Sequence, residues 1–292
     1  MITAAVSGIP LATNRNALQR FDVDSPLTEQ ASEVIYKLPN LRILSVVIEG
    51  ETLLPSASLP NLTKLTIKCD NEDNWSRLFH KATFGKLKSV TFSLPSKQLG
   101  DFLGAFERAA LSQSIQNTLS ELYLFTPCSW NPNYSSLLPF TQLVYLDIRF
   151  SCRGGCSSRV DDDIIISLSR EMQKLRTLRL GHAPCGQITT GVTTKGLLAL
   201  AQHCPNLSTL CIHFQVASLS VPSATPGMPP NIESTASQTD CALTDLEVGE
   251  MSAPEESALM VALTLLRLFL QIETIDGADE LWENFQNAVG AP

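Results

Sequence analysis

The chain has 292 residues, 44% of them hydrophobic and only 7% aromatic, with eight cysteines and a formal net charge of −8. Such a length can fill a substantial core, and so few aromatics suit many thin similar layers better than one bulky centre. The charge is uneven: beyond Asn231 there are 12 acids against the single base Arg267 (−11), leaving 17 acids and 20 bases before it (+3). That balance gives no long-range attraction for nucleic-acid phosphates or anionic lipid.

Taken in chain order, the sequence repeats one pattern, apolar-x-x-apolar-x-apolar. A weak copy at Leu18-x-x-Phe21-x-Val23 is followed by clear ones that begin at Leu41, Leu62, Leu87, Leu119, Leu143, Leu175, Leu207 and Leu243. A frayed copy at Ile272-x-x-Ile275 makes about ten irregular repeats. Successive starts differ by 23, 21, 25, 32, 24, 32, 32, 36 and 29 residues. Each copy predicts one strand plus a return segment, with alternate apolar residues turned inward and the residues between them turned outward.

Several return segments predict helices. Asp161-Asp162-Asp163 reads as an acidic helix start followed by an apolar face through Ser169, and Gly196–Ala201 reads likewise. A third begins at Ser252, three residues before Glu255, and runs through Leu259, Leu263, Leu266 and Phe269. A helix that returns every strand to the same edge makes the strands parallel. The expected fold is therefore α/β: a leucine-rich-repeat solenoid with a curved parallel sheet inside and helices outside, forming a single domain over residues 1–292. Residues 218–240, rich in Ser, Pro and Thr, predict a flexible insertion with a candidate phosphorylation site near Thr225, and residues 278–292 a C-terminal capping helix.

The stretch Gly196-Leu-Leu-Ala-Leu-Ala-Gln-His-Cys-Pro-Asn-Leu-Ser-Thr-Leu-Cys-Ile212 resembles the cysteine-containing leucine-rich repeats of F-box proteins. The Pro-Asn-Leu variants at Pro39 and Pro60 and the unit around Met172 look like weaker copies. The irregular spacing is most similar to fungal members, over roughly residues 15–280. The resemblance implies recognition of a protein substrate for a cullin-type ubiquitin ligase. No F-box pattern precedes Leu18, so a ligase adaptor is expected as a partner only if an F-box lies upstream. The alternative expectation is a solenoid that regulates an enzyme or small GTPase, unconnected with ubiquitination.

The outward positions of the strands can be read directly. Lys64, Thr66 and Lys68 are followed by Ser89, Thr91 and Ser93, then by Glu121, Tyr123 and Phe125. Next come Tyr145, Asp147 and Arg149, then Thr177, Arg179 and Gly181, then Thr209, Cys211 and His213, and last Asp245, Glu247 and Gly249. Tyr, Phe and Arg are the types that dominate interface energetics. Tyr123, Phe125, Tyr145, Arg149, Arg179 and His213 are therefore the predicted partner-binding residues.

No enzyme is expected. There is no Gly-x-Ser-x-Gly elbow, and Gly186–Thr193 imitates a phosphate loop but places Val192 where lysine is needed. Cys152/Cys156, His182/Cys185 and His203/Cys204 lack zinc spacing, so neither metal nor cofactor is expected. Scattered cysteines, and end segments without the pattern of a secretion or membrane signal, lead to the expectation of a cytoplasmic or nuclear protein with no membrane partner.

Overall fold

The computed structural model describes residues 17–35, 37–49, 57–69, 72–94, 101–127, 132–151, 160–181, 191–212, 241–247, 265, 268–269 and 271–276. Its contacts group the chain into two compact units, Met1–Leu143 and Val144–Pro292. The leucine pattern passes through that boundary unbroken, which is why it reads as one domain. The predicted insertion at 218–240, with Thr225, and the predicted capping helix at 278–292 lie outside the described residues, as does the helix predicted from Ser252 apart from Leu265, Leu268 and Phe269.

The first unit runs β1 (Arg20–Pro26), α1 (Glu29–Ile35), β2 (Ile43–Ile48), β3 (Ala57–Leu59), β4 (Lys64–Cys69), α2 (Glu72–Lys81), β5 (Ala82–Phe84), β6 (Ser89–Ser93), α3 (Phe102–Ser112) and β7 (Glu121–Pro127). Strands β1, β2, β4, β6 and β7 are neighbours in that order, all parallel. Their register stacks the repeat leucines: Leu44 lies opposite Leu65, then Val90, then Leu122, and the next row is Val46, Ile67, Phe92 and Leu124. These residues are at most 2% exposed. A period-two strand puts every ladder residue on one face, so helices that cover that face bury all of them together.

The aromatic side chains show which face the helices take. Trp75 and Phe79 of α2 and Phe102 and Phe106 of α3 all close on the ladder residue Phe92, with ring centroids 5.6, 6.0, 5.0 and 5.3 Å away. Edge and tilted ring contacts of this kind add to the area they bury. Between β2 and β4 the repeat is shortest, and the described part of the return holds the short strand β3. This pairs parallel to β5. Gln113, just past α3, ties the pair down by donating to the Phe79 carbonyl and accepting from Phe84 N–H at 3.3 Å.

The second unit runs β8 (Tyr145–Ser151), α4 (Asp162–Glu171), β9 (Thr177–Leu180), α5 (Thr194–His203), β10 (Thr209–Ile212), β11 (Asp245–Glu247) and β12 (Thr274–Asp276). Its strands are parallel neighbours in chain order. Leu146, Leu178, Leu210 and Leu246 form the first ladder row, and Ile148, Leu180 and Ile212 the second, all buried.

A single hydrogen-bond device recurs at the strand entries of both units. Two successive N–H groups donate to one carbonyl of the preceding repeat. In the first unit Arg42 and Ile43 share Gln19, Thr63 and Lys64 share Arg42, Lys88 and Ser89 share Thr63, and Ser120 and Glu121 share Lys88. In the second, Arg176 and Thr177 share Val144, Ser208 and Thr209 share Arg176, Thr244 and Asp245 share Ser208, and Glu273 and Thr274 share Thr244. Where the entry residue is Ser or Thr, its hydroxyl donates to the same carbonyl, as at Thr63, Ser120, Ser208 and Thr244. Both lone-pair directions of that oxygen are thereby used, and the repeat spacing is fixed by backbone geometry rather than by side-chain size.

The acidic helix start has a role beyond its own helix. Asp161 caps α4, accepting from Ile164 N–H at 3.0 Å. Asp162 reaches the next helix: Oδ1 accepts from Thr193 N–H at 2.8 Å and Gly196 N–H at 2.9 Å, and Oδ2 from the Thr193 hydroxyl at 2.6 Å. α5 accordingly opens at Thr194, two residues before the apolar run from which the sequence predicts it, because Thr193 caps it by accepting from Lys195 N–H at 3.1 Å. Among the described residues, no helix is long and apolar enough to cross a membrane.

Candidate functional site

An all-parallel sheet is normally covered on both faces. In each unit one face carries the buried ladder, and the residues between the ladder positions form a second face, largely polar and for the most part half-buried. In the first unit this second face has rows of small polar groups that run out to aromatics: Ser45, Thr66, Thr91 and Tyr123, and beside them Val47, Lys68, Ser93 and Phe125. Tyr123 is half-buried and Phe125 is 37% exposed, so Phe125 stands on the surface rather than in local core. Lys68 Nζ reaches Asp24 at 2.9 Å, within the same unit.

The second unit's face has more chemistry. Tyr145, Thr177, Thr209 and Asp245 make one row; Asp147, Arg179, Cys211 and Glu247 make the next. Of the predicted residues, Tyr145 and Arg149 share this face of β8, and Arg179 stands on β9 beside Asp147. His213 lies outside the described residues. Tyr123 and Phe125 belong to the first unit's face.

Two groups outside the predicted set stand out by their burial. Asp147 is 3% exposed, unusual for a carboxylate, and both its oxygens accept from Arg149: Nε to Oδ1 at 2.9 Å and to Oδ2 at 3.0 Å, Nη2 to Oδ2 at 2.7 Å. The hydrogen bonds to Asp147 hold the Arg149 guanidinium above its ordinary pKa. The signal was in the sequence as Asp-x-Arg, since residues two apart on a strand share a face and lie within reach of each other. Cys211, also 3% exposed, sits between Arg179 and Glu247. Burial pushes its thiol pKa up first, and the charge and hydrogen bond of Glu247 push it further, against the pull of Arg179.

The other two described cysteines of this unit, Cys204 and Cys241, are buried and bonded to backbone carbonyls. Cys204 donates to the Ser169 and Met172 carbonyls at 3.7 and 3.8 Å, and Cys241 to those of Cys204 and Leu207 at 3.5 and 3.8 Å. Burial raises the Cys204 thiol to about 12. Among the described residues no group of His, Cys, Asp and Glu is arranged to hold a metal ion; Cys152, Cys156, His182 and Cys185 lie outside them.

No family model matches the chain, and no curated protein is similar enough to it to count as a match.

Proposed function

We propose that the chain is a leucine-rich-repeat solenoid that works as a protein-protein interaction module, comparable to the substrate-recognition repeats of an F-box ubiquitin-ligase subunit, and that it is not an enzyme. The observation that carries this reading is the parallel strand set with helices on its ladder face and an opposite face of tyrosine, arginine, threonine and carboxylate side chains. A parallel sheet with one partly exposed, chemically varied face suits a partner, because burying that face on association supplies what a second helical layer supplies elsewhere. Tyr145 and Arg149 offer large area together with polar contact, the combination that dominates interface energies.

Affinity capture with the wild-type chain and a Tyr145→Ala/Arg149→Ala double variant tests the reading. A partner retained by the first and lost by the second, with unchanged circular dichroism, supports it; equal retention rejects the assignment of this face. A ligase adaptor and cullin among the retained proteins support the F-box comparison, and an enzyme without them contradicts it.

A further inference from the structure

The strand entries of the first unit form an edge of their own, apart from the strand face. In chain order the entry residues are Gln19, Arg42, Thr63, Lys88 and Ser120, and each after the first donates its N–H to the carbonyl of the one before. Lys64 follows Thr63 at the first position of β4, and Lys86 lies two residues ahead of Lys88. The four bases Arg42, Lys64, Lys86 and Lys88 are all exposed.

Other bases of this unit are matched by carboxylates: Arg20 by Asp22, Lys68 by Asp24 and Arg108 by Asp101. Among the described residues, none of the four edge bases is in an ion pair. Lys86 is held instead by a neutral group of the preceding repeat. Its Nζ donates to Asn61 Oδ1 at 3.1 Å, and Asn61 Nδ2 donates to the Pro39 carbonyl at 3.0 Å. The ammonium is thereby positioned without losing its charge. Glu121, half-buried at the start of β7 and two strands from Lys64, offsets one of the four bases and leaves a net charge of +3 (4 − 1). Glu33 of α1 and Lys37, four residues on, are opposite charges that cancel at longer range.

We propose that this edge binds an acidic segment of a partner protein, an extended run with Asp or Glu at alternate positions, laid across the entries of β2, β4 and β6. Arg42 and Lys88 stand two strand spacings apart, about 10 Å, and same-side residues of an extended segment recur about every 7 Å. A run of about five residues therefore brings three carboxylates along the patch. Nucleic acid fits less well. The groups between the bases are Asn61, Thr63, Gly85 and Ser120, none of them an aromatic on which a base could stack. The net charge of −8 also repels a long polyanion wherever it overruns so short a patch, whereas a short acidic segment ends with it. The edge is separate from the strand face of the proposed function, so neither reading depends on the other.

The test is fluorescence anisotropy of the full chain with a labelled peptide of alternating Glu and Ser. The same peptide with Gln for Glu, and an oligouridylate of equal charge, are run beside it. The Glu peptide is expected to bind, less tightly as salt rises, and the other two about tenfold more weakly or not at all. Arg42→Glu/Lys88→Glu turns two attractions into repulsions and weakens the Glu peptide about tenfold. Lys64→Gln/Lys86→Gln, which removes charge without reversing it, weakens it about fivefold. Arg170→Glu, at an exposed base on α4 of the second unit, leaves it within about twofold. Unchanged urea midpoints show that the losses are not unfolding. No binding of the Glu peptide, equal binding of the Gln peptide, tighter binding of the oligouridylate, or indifference to both edge variants each overturn the proposal, as does equal weakening by Arg170→Glu.

Discussion

Replacing Asp162 by alanine removes the carboxylate that joins the start of α4 to the start of α5. Three hydrogen bonds go at once, from Thr193 N–H, Gly196 N–H and the Thr193 hydroxyl. The two N–H groups belong to the entrance of α5, where no intrahelical acceptor exists for them. With hydrogen bonds to a charged group contributing roughly 1.5–3 kcal/mol each, and partial access of water to the vacated site, a net loss of about 3 kcal/mol is expected. At a urea dependence of about 2 kcal/mol/M this lowers the midpoint of the second unit by about 1.5 M. The same geometry makes a sharper claim about Gly196. A Cβ built there meets Asp162 Oδ1 at 2.6 Å, while its next contacts, Val192 Cγ1 at 3.4 Å and Ile165 Cβ at 3.5 Å, are tolerable. Gly196→Ala is therefore destabilising alone. In an Asp162→Ala background the clash is gone, and alanine's better helix propensity makes the same change neutral or stabilising by up to about 1 kcal/mol. Hydrogen exchange of peptides from residues 160–212 across a urea series gives all four stabilities. Additive effects, or a loss below about 0.5 kcal/mol for Asp162→Ala, refute the staple.

Other consequences follow from particular groups. Trp75 is fully buried, but its Nε1 has no hydrogen-bond partner, so Trp75→Phe, which keeps a ring and deletes the orphan donor, is expected to cost far less in thermal stability than Trp75→Ala, at about 3–5 kcal/mol; equal losses contradict this. Gly181 has φ +81°, and Gly181→Ala is expected to lower stability by roughly 1–2 kcal/mol, measurable by urea titration. Cys204 is raised from about 9 to about 12. Its contribution is therefore full below pH 9 and is lost as pH rises toward 12, because the unfolded thiol ionises first. Stability measured from pH 7 to 11 should stay level and then fall, and mass spectrometry after iodoacetamide treatment at pH 8 should find Cys204 and Cys211 unmodified until urea is added.

Much of the fold was legible because the recurring apolar-x-x-apolar-x-apolar pattern states its strand positions directly. Leu41, Leu62, Leu87 and their successors each precede a strand by the same two-residue offset, and alternation alone placed Tyr145, Asp147, Arg149 and Arg179 on one face. The reading was weakest where a structural role crosses between repeats. Asp162 looked like an ordinary acidic helix start, since sequence shows its charge near its own helix but not its reach across about 30 residues to Thr193. The Asp147–Arg149 pair was missed for the opposite reason: it is local, but attention to partner-binding types singled out the arginine and passed over the acid that holds it. The strand pair β3–β5 has no repeat signal, because its three-residue strands are specified by a neighbouring return segment and by Gln113 rather than by their own pattern.

In the proposed reading a partner protein is held against the strand face and not against the helices. A photo-crosslinking phenylalanine analogue placed at Tyr145, and separately at the exposed Arg170 on α4, tests this in the intact chain after irradiation with cell extract. The account predicts a discrete protein adduct from position 145 and none from position 170. Adducts from position 170 alone, or from neither, contradict it.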